Sequence, residues 1–145
     1  MLPDYNTVYQ QDNIMPSKTY YINRNTNRIS GYIDDKDAII QAIYLILSTE
    51  RYESVIYNWY YGTEFDYLIG KDGDFVKSEV KRRIAEAILE DDRILDVTNF
   101  DISFNKDAAN VVFLVETNIG DINVNWEVNL QWMRYLLMRR FFKDV

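Results

Sequence analysis

The chain contains no histidine and no cysteine. The first absence removes an imidazole base of the Ser-His-Asp kind. The second removes a thiolate nucleophile and any disulfide framework, and the two together remove the imidazole and thiolate ligands of a zinc site. No apolar run approaches the ~20 residues of a membrane-spanning helix. The first residues, MLPDYNTVYQQDN, have neither a basic start nor an apolar stretch, so they do not read as a signal peptide. Cations are the minority charge, with 16 Lys+Arg against 23 Asp+Glu and a net charge of −7. A pI of 4.6 argues against a generalised nucleic-acid surface, which needs clustered Lys and Arg. Carboxylates, lysines, tyrosines and hydroxyls are what remains for chemistry.

What the chain has in quantity is aromatic side chains, with 12 Tyr, 7 Phe and 3 Trp among 145 residues. Rings with a polar tip suit interfaces, because one side buries while the tip still hydrogen-bonds, although a Tyr-rich core and surface would read the same way. A chain of this length suits one domain with its own core. Both prolines, Pro3 and Pro16, fall in residues 1–16, a polar stretch without helical or strand period that reads as an arm ordered only against something else.

Periodicity fills in the rest. TYYIN and RISGYI flank an Asn-rich turn within 18–33 and predict a small hairpin. Ala38, Ile39, Ala42, Ile43, Ile46 and Leu47 recur at helical spacing after Asp34 and Asp35, which can cap the helix, and the stripe ends near Thr49. The stretch 51–61 is aromatic and irregular. Thr63-Glu64-Phe65-Asp66 has the form of a capping box before one or two helical turns that end at Gly70. A longer helix is expected from Asp74 to about Asp91 on the stripe Val76, Val80, Ile84, Ala87 and Ile88. Three strands follow, around Phe100–Phe104, at 111–116 and at 122–129, and their turn-rich connections predict an antiparallel meander. The last sixteen residues, LQWMRYLLMRRFFKDV, read as an apolar helix broken by Arg134, Arg139, Arg140 and Lys143. It either folds back on the sheet or docks on a partner or a membrane surface. The fold class is α+β: an antiparallel meander packed against two main helices, with an N-terminal hairpin and a C-terminal helix.

The stretches SKTYYIN, RISGYIDDKDAIIQAIYLILSTERYESVIYNWYYG, LIG, VKRRIAEAILEDDRI and VTNF together resemble the baseplate wedge family of contractile phage tails, often labelled lysozyme-like. The resemblance is to the branch of that family found in defective prophages and phage-tail-like bacteriocins, and it covers residues 17–127. Thr49, Glu50 and Arg51 match a Thr-x-x-Gly-Glu-Arg-like element without its glycine. Tyr61 and Gly62, then Leu68 and Ile69, match an aromatic-Gly and a Leu-Ile pair. Asp91-Asp92-Arg93-Ile94 matches a Glu-Pro-Arg-Ile element in which Asp92 replaces proline, removing a rigid turn.

The resemblance implies a structural, non-enzymatic subunit without cofactor or metal. It would be assembled in the bacterial cytoplasm into a tail or tail-like particle. Its implied partners are a larger wedge protein, the tail sheath protein and the tail hub or tube, with neither nucleic acid nor a membrane span. Arms of the sheath would add to its strands, the edge 122–129 being a candidate. The residues expected at partner contacts are Glu50, Arg51, Gly62, Asp91, Asp92, Arg93, Trp126, Trp132, Arg139 and Arg140. Glu50, Arg51, Asp91 and Arg93 could equally pair within the chain. Further contacts are expected on two basic strips, 81–83 and 134–143. A muramidase using two of Glu50, Glu53, Glu64 and Asp66 and a small regulatory adaptor of the same fold are the alternatives.

Overall fold

The computed structural model describes residues 17–68, 71–105 and 108–129. The apolar stripe of the first helix becomes α1, Asp35–Ser48, which buries Ala38, Ile39, Ile43, Ile46 and Leu47. Asp34 caps it, accepting the Asp35 N–H at 2.8 Å and the Ser17 hydroxyl, and that hydroxyl bond holds the Asp34 carboxyl below its usual pKa. The second stripe becomes α2, Gly73–Ile88, burying Val80, Ile84, Ala87 and Ile88. It stops three residues before the expected Asp91, because the chain leaves the helix in a turn closed by Asp91 N–H to Ile88 O and Ile94 N–H to Asp91 O.

Residues of period two build two antiparallel sheets. β1 (Thr19–Asn23) and β2 (Arg28–Ile33) form the expected hairpin. β3 (Ile94–Phe104), β4 (Ala108–Thr117) and β5 (Ile122–Asn129) form the meander, in the order β3-β4-β5. β3 starts six residues earlier than the Phe100 period suggests. Its register shifts between Ile94 and Asp96 and again between Thr98 and Asp101, so two bulges break the alternation that would reveal it. Ala109, Val111, Phe113 and Val115 of β4, with Ile122 and Val124 of β5, face the helices and are buried. Asn123, Asn125 and Glu127 are exposed on the opposite face, so one side of the sheet is wet as expected.

The hairpin stands apart from this core. Tyr20, Tyr21, Ile29 and Tyr32 are all exposed, and the hairpin is held to α1 largely by one side chain. The Gln41 amide donates to Tyr20 O at 2.8 Å and accepts from Ile22 N–H at 2.9 Å. A primary amide offers the same donor and acceptor as a peptide group, so Gln41 bonds to β1 as a neighbouring strand would. The Arg24 guanidinium adds a stack on the Tyr44 ring, 3.7 Å from its centroid. The C-terminal helix expected at 130–145, the arm at 1–16 and Gly70 lie outside the described residues.

Candidate functional site

Two clusters collect the residues singled out by the sequence. The first closes the irregular stretch after α1. Arg51 N–H donates to Thr63 O at 2.8 Å and Thr63 N–H to Thr49 O at 2.9 Å, an isolated parallel bridge that brings Glu50 beside Thr63. Arg51 Nη2 donates to Gly62 O at 3.1 Å, so Glu50, Arg51 and Gly62 meet in one clasp. A side chain at position 62 has no room. Gly62 has φ +93°, and a Cβ there would lie 2.5 Å from Thr49 O.

Beside the clasp, ion pairs link Arg51 to Glu64 and Glu86, and Arg83 to Glu64 and Glu79. The side chains of Arg51 and Arg83 are each only 12% exposed, so these guanidiniums hold the chain together from inside. The basic strip 81–83 is therefore largely committed: Arg82 pairs with Glu79 and Glu86, while Lys81 lies over the Phe100 ring. The pairing of Arg83 with Glu64 does not follow from the sequence, since nothing in a spacing of nineteen residues marks them as partners.

The expected capping box does not form as written. Glu50 replaces Thr63, its carboxylate accepting Phe65 N–H at 3.3 Å and Asp66 N–H at 3.4 Å. It thereby caps a single 3-10 turn, Asp66–Leu68, in place of the short helix. The Thr63 hydroxyl is buried with no hydrogen-bond partner. Burial raises the Glu50 pKa to about 7, helped by the Asp66 carboxylate and opposed by the two N–H groups. An acid raised in this way favours the fold fully below its ordinary pKa near 4.5, and that contribution is lost as pH rises through 7. Glu50→Gln keeps an acceptor for both N–H groups and cannot ionise. At pH 8 it is expected to be more stable than the wild type by roughly 1–2 kcal/mol, a figure discounted for the carboxylate's partial exposure. At pH 4 the advantage disappears. Urea titrations of both chains at the two pH values measure the difference.

The second cluster is the turn after α2. Arg93 grips Asp91 with Nε at 2.8 Å and Nη2 at 2.6 Å, and its N–H donates to the same carboxylate at 3.1 Å. Burial opposes charge on Asp91, but these bonds outweigh it and hold the pKa below the usual carboxylate range. The proline missing at Asp92 is thus replaced by a side-chain brace: Asp91 ties the turn and Asp92 is left exposed. Asp91, Asp92 and Arg93 line a groove of about 550 Å³ with Tyr60, Tyr61 and Leu45. The loop 52–60, which runs into the groove at Tyr60, points Tyr52, Val55, Ile56 and Trp59 into solvent, Ile56 at 79% and Trp59 at 73% exposure. This ridge is far more apolar than an exposed loop requires.

Trp126 faces α1, its ring 5.5 Å from that of Tyr44, and its Nε1 is buried without a partner. Trp132, Arg139 and Arg140 lie outside the described residues.

Residues 15–120 match the family described as contractile injection system sheath initiator. The chain is also similar to the "Phage-like element PBSX protein XkdS" of Bacillus subtilis (strain 168). Identity is 39% over 115 residues, which cover 77% of this chain and 82% of that protein.

Proposed function

Because the chain belongs to the contractile injection system sheath initiator family, we propose that it is a non-enzymatic structural subunit of the baseplate in a phage tail or tail-like particle. There it binds the larger wedge protein and presents strands on which the first ring of sheath is laid. The family description concerns the start of the sheath. The observation that carries it is the exposure of Tyr52, Val55, Ile56 and Trp59 on one loop, whose next residues, Tyr60 and Tyr61, line the groove of Asp91 and Arg93. Clustered aromatic and apolar side chains next to a braced guanidinium are what a stable protein contact is made of.

The muramidase reading finds no comparable support. Glu50 is engaged by two main-chain N–H groups, and neither of the two larger grooves is lined by Glu50, Glu53, Glu64 or Asp66. A glycosidase needs its acid pair facing a cleft that admits a sugar chain.

Particles made without this protein are expected to carry no sheath, and normal contractile tails would sink the reading. Supplying the double variant Ile56→Ala, Trp59→Ala should give a chain that folds with unchanged thermal stability, because both side chains already lie in water. The same variant should fail to restore sheathed particles, counted by electron microscopy.

A further inference from the structure

The hairpin is the least supported part of the fold. A two-stranded hairpin is marginal in water unless further strands or packing hold it, and its hold on α1 rests largely on the Gln41 amide and the stack of Arg24 on Tyr44. Between the two elements runs an open groove of about 750 Å³. The hairpin lines it with Tyr21 and Ile33, and α1 with Ile40, Tyr44 and Leu45. Leu45 is 40% exposed in the last third of the helix.

The chain itself brings a segment to one end of this groove. Lys36 Nζ donates to Asp121 O at 3.3 Å and Tyr44 Oη to Asn125 O at 3.2 Å, so β5 and α1 run side by side in the same direction. The eight residues between the two contacts on the helix and the four on the strand both span about 12–13 Å. β5 therefore reaches Asn129 beside the C-terminal end of α1, where Ser48 lines the groove. Residues 130–145 follow directly. From Ser48 back to Asp37, the lining residue nearest the start of α1, is a distance of about 16 Å, which some eleven helical residues cover. Sixteen residues leave enough for the turn that reverses the chain.

The sequence of that segment matches the groove in two respects. Leu130, Met133, Leu137 and Phe141 fall on one helical stripe, while Trp132, Leu136 and Phe142 carry apolar surface to other sides. A helix apolar on most of its surface needs cover from more than one direction, and a groove between a helix and a hairpin supplies two. The charges are graded as well. Arg139, Arg140 and Lys143 lie in the second half of the segment. Running antiparallel to α1, this half comes beside Asp35 and Asp37 in the first turn of α1. The reverse direction would set the same cations near Arg24 on the Tyr44 ring.

We propose that residues 130–145 form a helix seated in the groove between the hairpin and α1, antiparallel to α1, and that this helix clamps the hairpin to the domain. The apolar stripe covers Ile40 and Leu45, and the basic end meets Asp37.

Hydrogen exchange and disulfide trapping on the full-length chain test the proposal. In the double variant Leu137→Asp, Phe141→Asp, the Ile22 amide and the amides between β1 and β2 are expected to exchange at least about ten-fold faster than in the wild type, with those of Phe113 and Val115 unchanged. Faster exchange in the meander with the hairpin unaffected would place the segment on the sheet and overturn the proposal. No change anywhere would leave the groove to another occupant and overturn it equally. Because the chain has no cysteine, an introduced pair reports on contact alone. Leu45→Cys with Leu137→Cys should close within one chain under mild oxidation. Val112→Cys, which lies across from Asn125 on the wet face of the sheet, should not close with Leu137→Cys. Bonds formed only between chains would make a second copy the occupant, contrary to the proposal.

Discussion

A chain carrying Gly62→Ala is expected to lose roughly 3–4 kcal/mol of folding stability, combining the cost of a strained residue with that of a broken main-chain bond. The strain arises because φ +93° is a backbone region that side-chain-bearing residues rarely adopt, and the added Cβ would stand 2.5 Å from Thr49 O. That oxygen accepts the Thr63 N–H at 2.9 Å, so moving it opens the bridge that seats Glu50 and Arg51. Gly31→Ala provides the control. Gly31 also has positive φ, +65°, but a Cβ there meets nothing within 4 Å. Its cost should stay near 1 kcal/mol, the conformational part alone. Urea denaturation followed by circular dichroism separates the two, and equal losses would mean that the contact with Thr49 is relaxed at no cost.

Phe113→Ala is expected to cost about 3–5 kcal/mol, the usual range for emptying a large aromatic site in a core. Phe113 is 1% exposed at the centre of the middle strand. It is stacked on Phe100 with ring centroids 5.3 Å apart and paired across the sheet with Val124. Phe100 lies within the second shift of β3, between Thr98 and Asp101, so the ring also braces the point where the ladder is irregular. A domain of this size has about 5–15 kcal/mol in all. The variant should therefore show a large drop in denaturation midpoint, and a loss under 1 kcal/mol would show that the site collapses around the deletion.

Elements whose side chains repeat at a single period could be read directly from the chain. Ile39, Ile43 and Leu47 on α1, Val80, Ile84 and Ile88 on α2, and Ile122, Val124 and Trp126 against Asn123 and Asn125 on β5 each declare one face. The hairpin followed from its flanking strands and Asn-rich turn. β3 was half hidden because its two bulges reset the alternation. The capping box failed for a different reason: Thr63 and Asp66 have the right spacing, but a carboxylate brought in by tertiary structure, Glu50, reached the free N–H groups first.

The candidate site was legible only in part. Glu50 and Arg51 meet Gly62, eleven residues further along the chain, in one clasp, whereas the resemblance marked all three for contacts with a partner. Glu64 and Arg83, which complete the ion network, carry no local signal. Gln41 was equally silent. It is a polar residue between Ile40 and Ala42 on α1, and its role appears only when β1 is placed beside it.

Gln41 also determines how many strands the hairpin can recruit. If both its edges were open, copies of the chain could join edge to edge, each addition exposing a fresh edge for the next, and the result would be an unbounded ribbon. With β1 occupied by a side-chain amide, the hairpin cannot grow from that edge. The hairpin is in this sense capped on one side by its own helix.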